Sequence, residues 1–268
     1  MSDEIGHHCG IALVRLRKPL AYYEQKYGTP LWGFNQLFLL MEKQHNRGQD
    51  GAGIGSMKLN MPPGEAFMFR ERSTSTKALS KIFGGQHKKL EKMIKDGIAF
   101  PEFPETYKKH FDYGGEVLLG HLRYGTSGAY GSTTCHPYFR KSNWPGKNLM
   151  VAGNFNLTNV EELNQKLVER GQHPVFDTDT QAILEETGYH LDAINDKLSA
   201  EAVKTEISGD ELSKWRGEQA DLPDVFRKAS EYWDGSVASN RSSFAAAHFM
   251  CSKASETRCR QSLASGVS

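Results

Sequence analysis

Cys9 and the glycine that follows it open the first apolar stretch of the sequence, GIALVRL at 10–16, which is typical of a buried strand. If residues 1–8 are removed, Cys9 carries a thiol and a free α-amino group on one residue. An α-amine titrates at roughly 7.7 to 8.0, so it can act as the general base for its own thiol near neutral pH. The alternative is that Cys9 is a small buried apolar residue of the strand. The choice between the two depends on the other motifs.

Four further blocks place polar side chains at the ends of predicted strands or helices. They are NRGQDGAG with Arg47, GHLRYGT with His121, Arg123, Tyr124 and Thr126, GNFNLTN with Asn154 and Asn156, and FDTDTQ with Asp179. Strands that end in polar loops commonly deliver binding or catalytic groups. Each block also has a structural explanation. Arg123 can pair with a carboxylate such as Asp179, Asp179 suits the first turn of a helix, and asparagines are common in turns.

The charge of the chain narrows the class of function. Its 268 residues hold 33 Lys+Arg and 32 Asp+Glu, giving a net charge of +1. This balance argues against nucleic acid or a membrane surface as the main partner. The longest apolar runs are too short to span a bilayer, and the acidic start lacks a signal-peptide pattern, so we expect a cytoplasmic protein. Its four cysteines are too sparse for a disulfide scaffold.

Strands and helices alternate in the predicted element order. Helical spacing of apolar residues predicts a helix over 31–45 that stops at the glycines of 46–53, followed by strands over 53–59 and 65–72. Residues 73–112 are basic and helical in pattern. Strands are expected near 117–123 and 148–152, each leading into one of the polar blocks. The several adjacent strands favour an α+β fold.

Helix signals follow the last strand. Apolar spacing over 160–169 predicts an amphipathic helix with Asn159 as its cap and Gly171 as its stop. Thr178 and Gln181 match a capping box, which predicts a further helix from about Asp179. From 236 to 268 the chain is rich in Ser and Ala and has Glu256 as its only acidic residue. We interpret this stretch as an atypical tail, disordered or non-native, that does not belong to the core.

The CG start and the four blocks, in this order, resemble the glutaminase domain of class II glutamine amidotransferases, a branch of the N-terminal-nucleophile hydrolases. NRGQD and GHLRYGT look most like the amidophosphoribosyltransferase branch, which serves purine biosynthesis. The resemblance covers roughly residues 9–235 and makes residues 1–8 an autoprocessed propeptide. It implies a four-layer α/β/β/α sandwich of two antiparallel sheets between helices.

The resemblance also implies roles for the residues of the blocks. Cys9 would attack the side-chain amide of glutamine and form a glutamyl thioester, releasing ammonia. Arg123 would bind the substrate α-carboxylate, and Asp179 its α-ammonium. The Asn154 side chain and the backbone N–H of Phe155 would form the oxyanion hole. The remaining residues would shape the pocket and its loop: His121, Tyr124, Thr126 and Arg47.

The sequence departs from the family pattern in two places. The family usually has HNGN where this chain has GNFN, so Phe155 replaces a glycine and requires a negative φ or an opened loop. Nothing after Gly235 resembles the phosphoribosyltransferase half that follows in full-length relatives. The glutaminase half needs no cofactor, and Mg²⁺ is expected only with that second half. The expected partners are glutamine and a phosphoribosyltransferase domain or subunit, and a homo-oligomer is open.

Three alternatives stay open on the sequence. The chain can be an inactive or impaired domain that binds glutamine or a partner without turnover, as Phe155 and the unmatched second half would favour. It can be the glutaminase domain of another class II amidotransferase, because the acceptor of the ammonia is chosen by a different domain. The third alternative is a metal-binding module, because imidazoles and thiolates suit zinc. Its candidate ligands are His7, His8, Cys9, His121, Cys135 and His136.

Overall fold

The computed structural model describes residues 9–124, 131, 134–205, 207 and 209–235. The predicted propeptide 1–8, the tail 236–268 and Thr126 lie outside the described residues. Two compact units emerge. The first runs up to Pro137 and includes Ala152–Asn154, and the second comprises Tyr138–Val151 and the chain from Phe155 onward.

The first unit is built on a four-stranded antiparallel sheet in the order β1-β4-β2-β3. Its strands are β1 (Gly10–Arg15), β2 (Gly51–Met57), β3 (Met68–Ser73) and β4 (Val117–Arg123). Its helices are α1 (Leu20–Tyr27), α2 (Trp32–Lys43), α3 (Ala78–Lys95) and α4 (Pro104–His110), and a 3-10 turn spans His45–Arg47. Helices α3 and α4 lie within the basic stretch 73–112, which has a helical pattern in the sequence.

One face of this sheet carries the main apolar core. Phe34, Leu37 and Met41 recur along α2 at helical spacing and are fully buried, together with Ile54 of the central strand β2. The ring of Phe34 lies 4.8 Å from that of Phe83 on α3. The helical pattern at 31–45 therefore predicted α2 correctly, because its apolar stripe is the surface that packs in the core.

The strand β2 begins earlier than its apolar run predicted. It starts at Gly51 and is buried at every position, although GAG was expected to be a turn that ends the preceding helix. Glycine is needed here because other backbone lies against the strand: a Cβ added to Gly53 would stand 1.8 Å from the carbonyl oxygen of His136. Close backbone approach is one of the few reasons for glycine in the interior of a strand.

The second unit combines a short antiparallel sheet with four helices. β5 (Tyr138–Arg140) pairs with β6 (Leu149–Val151), and the helices are α5 (Val160–Glu169), α6 (Asp179–Lys204), α7 (Gly209–Gln219) and α8 (Leu222–Ala229). The guanidinium of Arg140 crosses over Gly188 of α6 and binds Glu185 at 3.1 Å and Asp192 at 2.6 Å. This network fastens β5 to α6. Mixed helices and antiparallel sheets confirm the predicted α+β composition.

The helix ends of the second unit partly match their predicted signals. Thr178 caps α6 by accepting a hydrogen bond from the Gln181 N–H at 3.2 Å. Gly171 follows the end of α5 with a left-handed φ of 79°, as a stop signal should. Asn159 is the N-cap residue of α5 as predicted, but its side chain makes no capping hydrogen bond to the helix. That side chain instead donates to the carbonyl of Tyr232 and accepts from the N–H of Asp234.

None of the helices in the described part of the chain combines the length and the apolar character needed to cross a membrane.

Candidate active site

The start of β1 and the end of β4 lie side by side at one end of the first sheet. Their antiparallel pairing puts Gly10 opposite Leu122, so the residue before β1, Cys9, lies beside the last residue of β4, Arg123. The start of β2 reaches the same point, since Gly51 pairs with Arg123. The CG start and two of the four blocks, NRGQDGAG and GHLRYGT, therefore meet here. The sequence analysis had placed each of them at the end of an element.

Cys9 lies half-buried at this sheet end, and its thiol contacts the main chain of Tyr124. The Tyr124 N–H donates to Sγ at 3.5 Å, and Sγ lies 3.9 Å from the Tyr124 carbonyl oxygen. A partly exposed thiol with a backbone N–H donor, at the sheet end that carries Arg123, is a candidate for a reactive cysteine.

Arg123 is the main cation of this sheet end, and only 7% of its surface is exposed. The loop that carries NRGQD closes over its backbone: the Asp50 N–H donates to the Arg123 carbonyl at 3.1 Å. A Cβ at Gly48 would come within 2.8 Å of the Arg123 main chain. Arg47 belongs to the 3-10 turn before this loop, and its side-chain position lies outside what the structure describes.

His121 is buried on the same face of β4 as Arg123 and meets a second imidazole. Its ring lies 4.3 Å from that of His136, centroid to centroid. His121 Nε2 lies 3.2 Å from the carbonyl oxygen of Gly153, and the Gly153 N–H donates to His136 Nδ1 at 3.2 Å. The backbone N–H and the backbone carbonyl of Gly153 are thus both bound by the histidine pair.

The histidine pair is buried and held uncharged. Burial lowers the pKa of His121 to about 4 against the opposing effect of its bond to Gly153, and the nearby Arg123 lowers it further. Burial lowers the pKa of His136 well below its ordinary value, with His121, Arg123 and Arg72 acting in the same direction. Both rings are therefore neutral near pH 7.

This burial predicts acid sensitivity of the fold. A histidine with a folded pKa of about 4 and an unfolded pKa of 6.5 contributes stability that is present above pH 6.5 and lost as the pH falls toward 4. His121 alone should cost about 2 kcal/mol of unfolding free energy between pH 7.5 and 5.0. Urea unfolding at both pH values measures the total loss, and that loss should be about 2 kcal/mol smaller in His121→Gln, while His136 still contributes its own part. An equal loss in wild type and variant would contradict the assignment.

Cys135 is a second thiol near the site, but its surroundings differ. It is fully buried, its Sγ lies 3.8 Å from the Ser73 carbonyl, and it packs against Gly51. Burial raises the pKa of Cys135, although Arg123 and Arg72 act to lower it. A buried thiol with a raised pKa is a poor nucleophile, so the two cysteines of the described chain differ in expected reactivity.

Asn154 and Phe155 follow the bound peptide of Gly153. Asn154 is half-buried in the first unit. Asn60 is the only non-glycine residue of the described chain with a positive φ, so Phe155 adopts an ordinary negative φ. Its ring packs with the apolar core of the second unit against residues such as Leu157. The side chain at this position is therefore accommodated without backbone strain.

Asp179 is the first residue of α6 in the second unit. Its carboxylate accepts hydrogen bonds from the N–H of Thr180 at 2.6 Å and from the Thr180 hydroxyl at 3.2 Å. Burial raises the pKa of Asp179, and these hydrogen bonds oppose that effect. Partial burial of a carboxylate favours a cationic partner, which would restore the charged form.

His136 and Gly53 are parts of the site that sequence reasoning did not assign to it. His136 was considered only as a metal ligand, yet among the described residues no group of three or more His, Cys, Asp or Glu side chains is arranged to hold a metal ion. The only sequence signal at His136 was the His136–Pro137 pair that precedes the short strand β5. The glycines of GAG were visible in the sequence, but the residue that packs on Gly53, His136, is distant from it along the chain.

Comparison with known proteins gives the resemblance independent support. The matching segments are 32% identical over 96 residues to amidophosphoribosyltransferase of Methanocaldococcus jannaschii, 26% over 147 residues to chloroplastic amidophosphoribosyltransferase 3 of Arabidopsis thaliana, and 33% over 85 residues to amidophosphoribosyltransferase of Pseudomonas aeruginosa. This chain is similar to amidophosphoribosyltransferases. The resemblance inferred from the CG start and the four blocks is thereby confirmed.

The similarity to amidophosphoribosyltransferases covers only part of each protein. The matches span 36%, 55% and 31% of this chain but 19%, 22% and 16% of the relatives, so about a fifth of their length is represented. No protein-family model matches the chain. A solved glutamine phosphoribosylpyrophosphate amidotransferase from B. subtilis aligns with 85% of this chain and 33% of its own at a TM-score of 0.48 and 16% identity.

Proposed function

We propose that this protein is a glutaminase of the class II glutamine amidotransferase kind, which hydrolyses glutamine to glutamate and ammonia through Cys9. The observation that carries the proposal is the position of the Cys9 thiol, which lies against the Tyr124 N–H next to buried Arg123. The resemblance supplies the rest: residues 1–8 as propeptide, 9–235 as one glutaminase domain, and the four-layer sandwich. A cytoplasmic location is part of the same proposal.

The proposed reaction has two steps. In the first, the Cys9 sulfur attacks the side-chain carbonyl carbon of glutamine, and the free α-amine of Cys9 takes the thiol proton. The Asn154 amide and the Phe155 N–H stabilise the oxyanion of the tetrahedral intermediate. The C–N bond then breaks, and ammonia leaves with that proton. In the second step water attacks the thioester carbon, which releases glutamate and restores the thiol.

Substrate selection is proposed to depend on opposite charges. Arg123 binds the glutamine α-carboxylate, because its planar guanidinium can donate two parallel hydrogen bonds. Asp179 binds the α-ammonium. Tyr124, His121, Arg47 and Thr126 shape the surroundings of the substrate. No cofactor takes part in these steps, and Mg²⁺ would be required only by a phosphoribosyltransferase half.

The use of the ammonia is a separate part of the proposal. The relatives carry the name amidophosphoribosyltransferase, which favours phosphoribosyl pyrophosphate as acceptor and purine biosynthesis as the setting. A phosphoribosyltransferase domain or subunit would then be the partner.

Glutamate release from L-glutamine tests the hydrolysis directly, with N-terminal sequencing to establish whether the chain begins at Cys9. L-asparagine is the matched control substrate, since it is shorter by one methylene. We expect turnover of glutamine by protein that begins at Cys9 and little turnover of asparagine. Hydrolysis of glutamine by folded protein that retains its first residues would overturn the α-amine mechanism. Tight binding of glutamine without glutamate release would instead favour the inactive binding domain.

Arg123→Lys is expected to raise the KM for glutamine by about 10- to 100-fold, because a lysine ammonium cannot form the paired hydrogen bonds of a guanidinium. Steady-state kinetics of glutamate release measure the change. Arg17→Lys is the matched control, because Arg17 is exposed just beyond the other end of β1. An unchanged KM in Arg123→Lys would remove Arg123 from the proposed substrate site.

A further inference from the structure

The backbone N–H and carbonyl of Gly153 are bound by side chains and not by a neighbouring strand. β6 ends at Val151, two residues earlier. The buried Gly153 N–H donates to His136 Nδ1, and the carbonyl oxygen of Gly153 lies 3.2 Å from His121 Nε2. Buried backbone groups need such partners, since an unbound one destabilises the fold. The two imidazoles therefore hold the backbone on both sides of Gly153, including the peptide that joins it to Asn154.

Both imidazoles are themselves rigidly anchored. His121 lies in the centre of the sheet, paired with Ile11 of β1 and Gly53 of β2. The main chain of His136 rests on Gly53, and the segment around it is bound by β3: Arg72 donates to the Cys135 carbonyl at 2.9 Å and Arg70 to the Pro137 carbonyl at 3.3 Å. The support for Gly153 is thus continuous with the sheet that carries Cys9.

We propose that His121 and His136 are positioning residues that hold the Gly153 peptide and thereby orient the Asn154 side-chain amide toward the oxyanion. This inference rests on the proposed glutaminase function. Asn154 follows Gly153 directly, so a rotation of the Gly153 peptide would move the backbone from which the amide extends. Oxyanion donors stabilise a transition state only when they are held in place before the reaction.

The hydrogen-bond directions fix which nitrogen of each neutral ring carries the proton. A carbonyl oxygen only accepts, so His121 carries its proton on Nε2. The Gly153 N–H donates to His136 Nδ1, so that nitrogen is unprotonated and the proton of His136 is on Nε2. A second proton on His136 would oppose the Gly153 N–H. The charged groups that face the rings, Arg123 on β4 and Arg72 on β3, also disfavour such a proton.

Paired variants separate the hydrogen bond from the bulk of the ring. His136→Asn keeps an acceptor near the position of Nδ1, whereas His136→Leu removes it. His121→Gln keeps a donor near Nε2, whereas His121→Leu removes it. We expect the Leu variants to lower kcat for glutamine by about 10- to 100-fold with KM little changed, and the Asn and Gln variants to recover most of the loss. A folded Leu variant with wild-type kcat, or a change confined to KM, would overturn the positioning role.

The tautomers provide a readout that needs neither activity nor a variant. Long-range ¹H–¹⁵N correlation of the wild-type imidazoles at pH 7 should show both rings neutral with the proton on Nε2. A proton on Nδ1 of His136, or a charged ring, would overturn the inference. If wild-type protein shows these tautomers but no glutamine turnover or covalent labelling, the proposed function fails while the binding of Gly153 stands.

Discussion

Cys9→Ala is expected to lower the release of ammonia from glutamine by about 1000-fold or more, because it removes the atom that forms the thioester. The fold should persist, since Cys9 precedes β1 and contributes little to the apolar core. Ammonia and glutamate release under saturating glutamine measure the effect. The melting temperature of the variant should stay close to that of wild type.

Cys135→Ala is the matched control for this loss. Cys135 is buried next to Gly51, and its thiol contacts the Ser73 carbonyl, so its removal should cost some stability but keep the activity. Loss of activity in Cys135→Ala with full activity in Cys9→Ala would reverse the assignment of the nucleophile. Full activity in both variants would show that neither cysteine is the nucleophile.

Gly53→Ala is expected to destabilise the protein by about 3 kcal/mol or more. Its Cβ would stand 1.8 Å from the His136 carbonyl oxygen and 2.9 Å from the carbonyl carbon, so a backbone segment must shift. Overpacking of a core typically costs about 1–3 kcal/mol, and the cost here lies at or above the upper end because the arginines of β3 fix the segment that must shift. The melting temperature should fall by roughly 6–12 °C.

Gly84→Ala is the matched control, because the same methyl group is added where nothing lies within 4 Å. Gly84 is inside α3, where alanine is favoured over glycine by about 0.5–1 kcal/mol. The two Gly→Ala changes should therefore have opposite signs in thermal unfolding. A Gly53→Ala protein with the wild-type melting temperature would contradict the packing of residues 135–137 on β2.

The strands that carry Cys9 and Arg123 could be predicted from the sequence, because GIALVRL and VLLGHLR are short apolar runs next to glycines and polar blocks. Their antiparallel pairing, which brings Cys9 to Arg123, was not predicted and is seen in the structure. The apolar face of α2 was equally clear in the sequence, because Phe34, Leu37 and Met41 recur at helical spacing. Order along the chain made the resemblance specific, since each block by itself is common.

Other parts of the site depend on contacts that no local pattern encodes. His136 and Gly153 are distant from His121 in sequence, and their hydrogen bonds arise only when three segments meet. Asn159 shows the same limit at a helix end, because the main chain at Tyr232 competes successfully for its side chain. A tertiary hydrogen-bond partner can thus take a side chain away from the local cap that its sequence position predicts.

The most direct test of the proposed function is the intact mass of purified protein before and after incubation with an electrophilic glutamine analogue. We predict a chain that begins at Cys9 and gains one adduct, with no adduct in Cys9→Ala and peptide mapping that places it on Cys9. That result would establish the processing, the nucleophile and a glutamine pocket together. A folded chain that retains residues before Cys9 and gains no adduct would contradict the central claim.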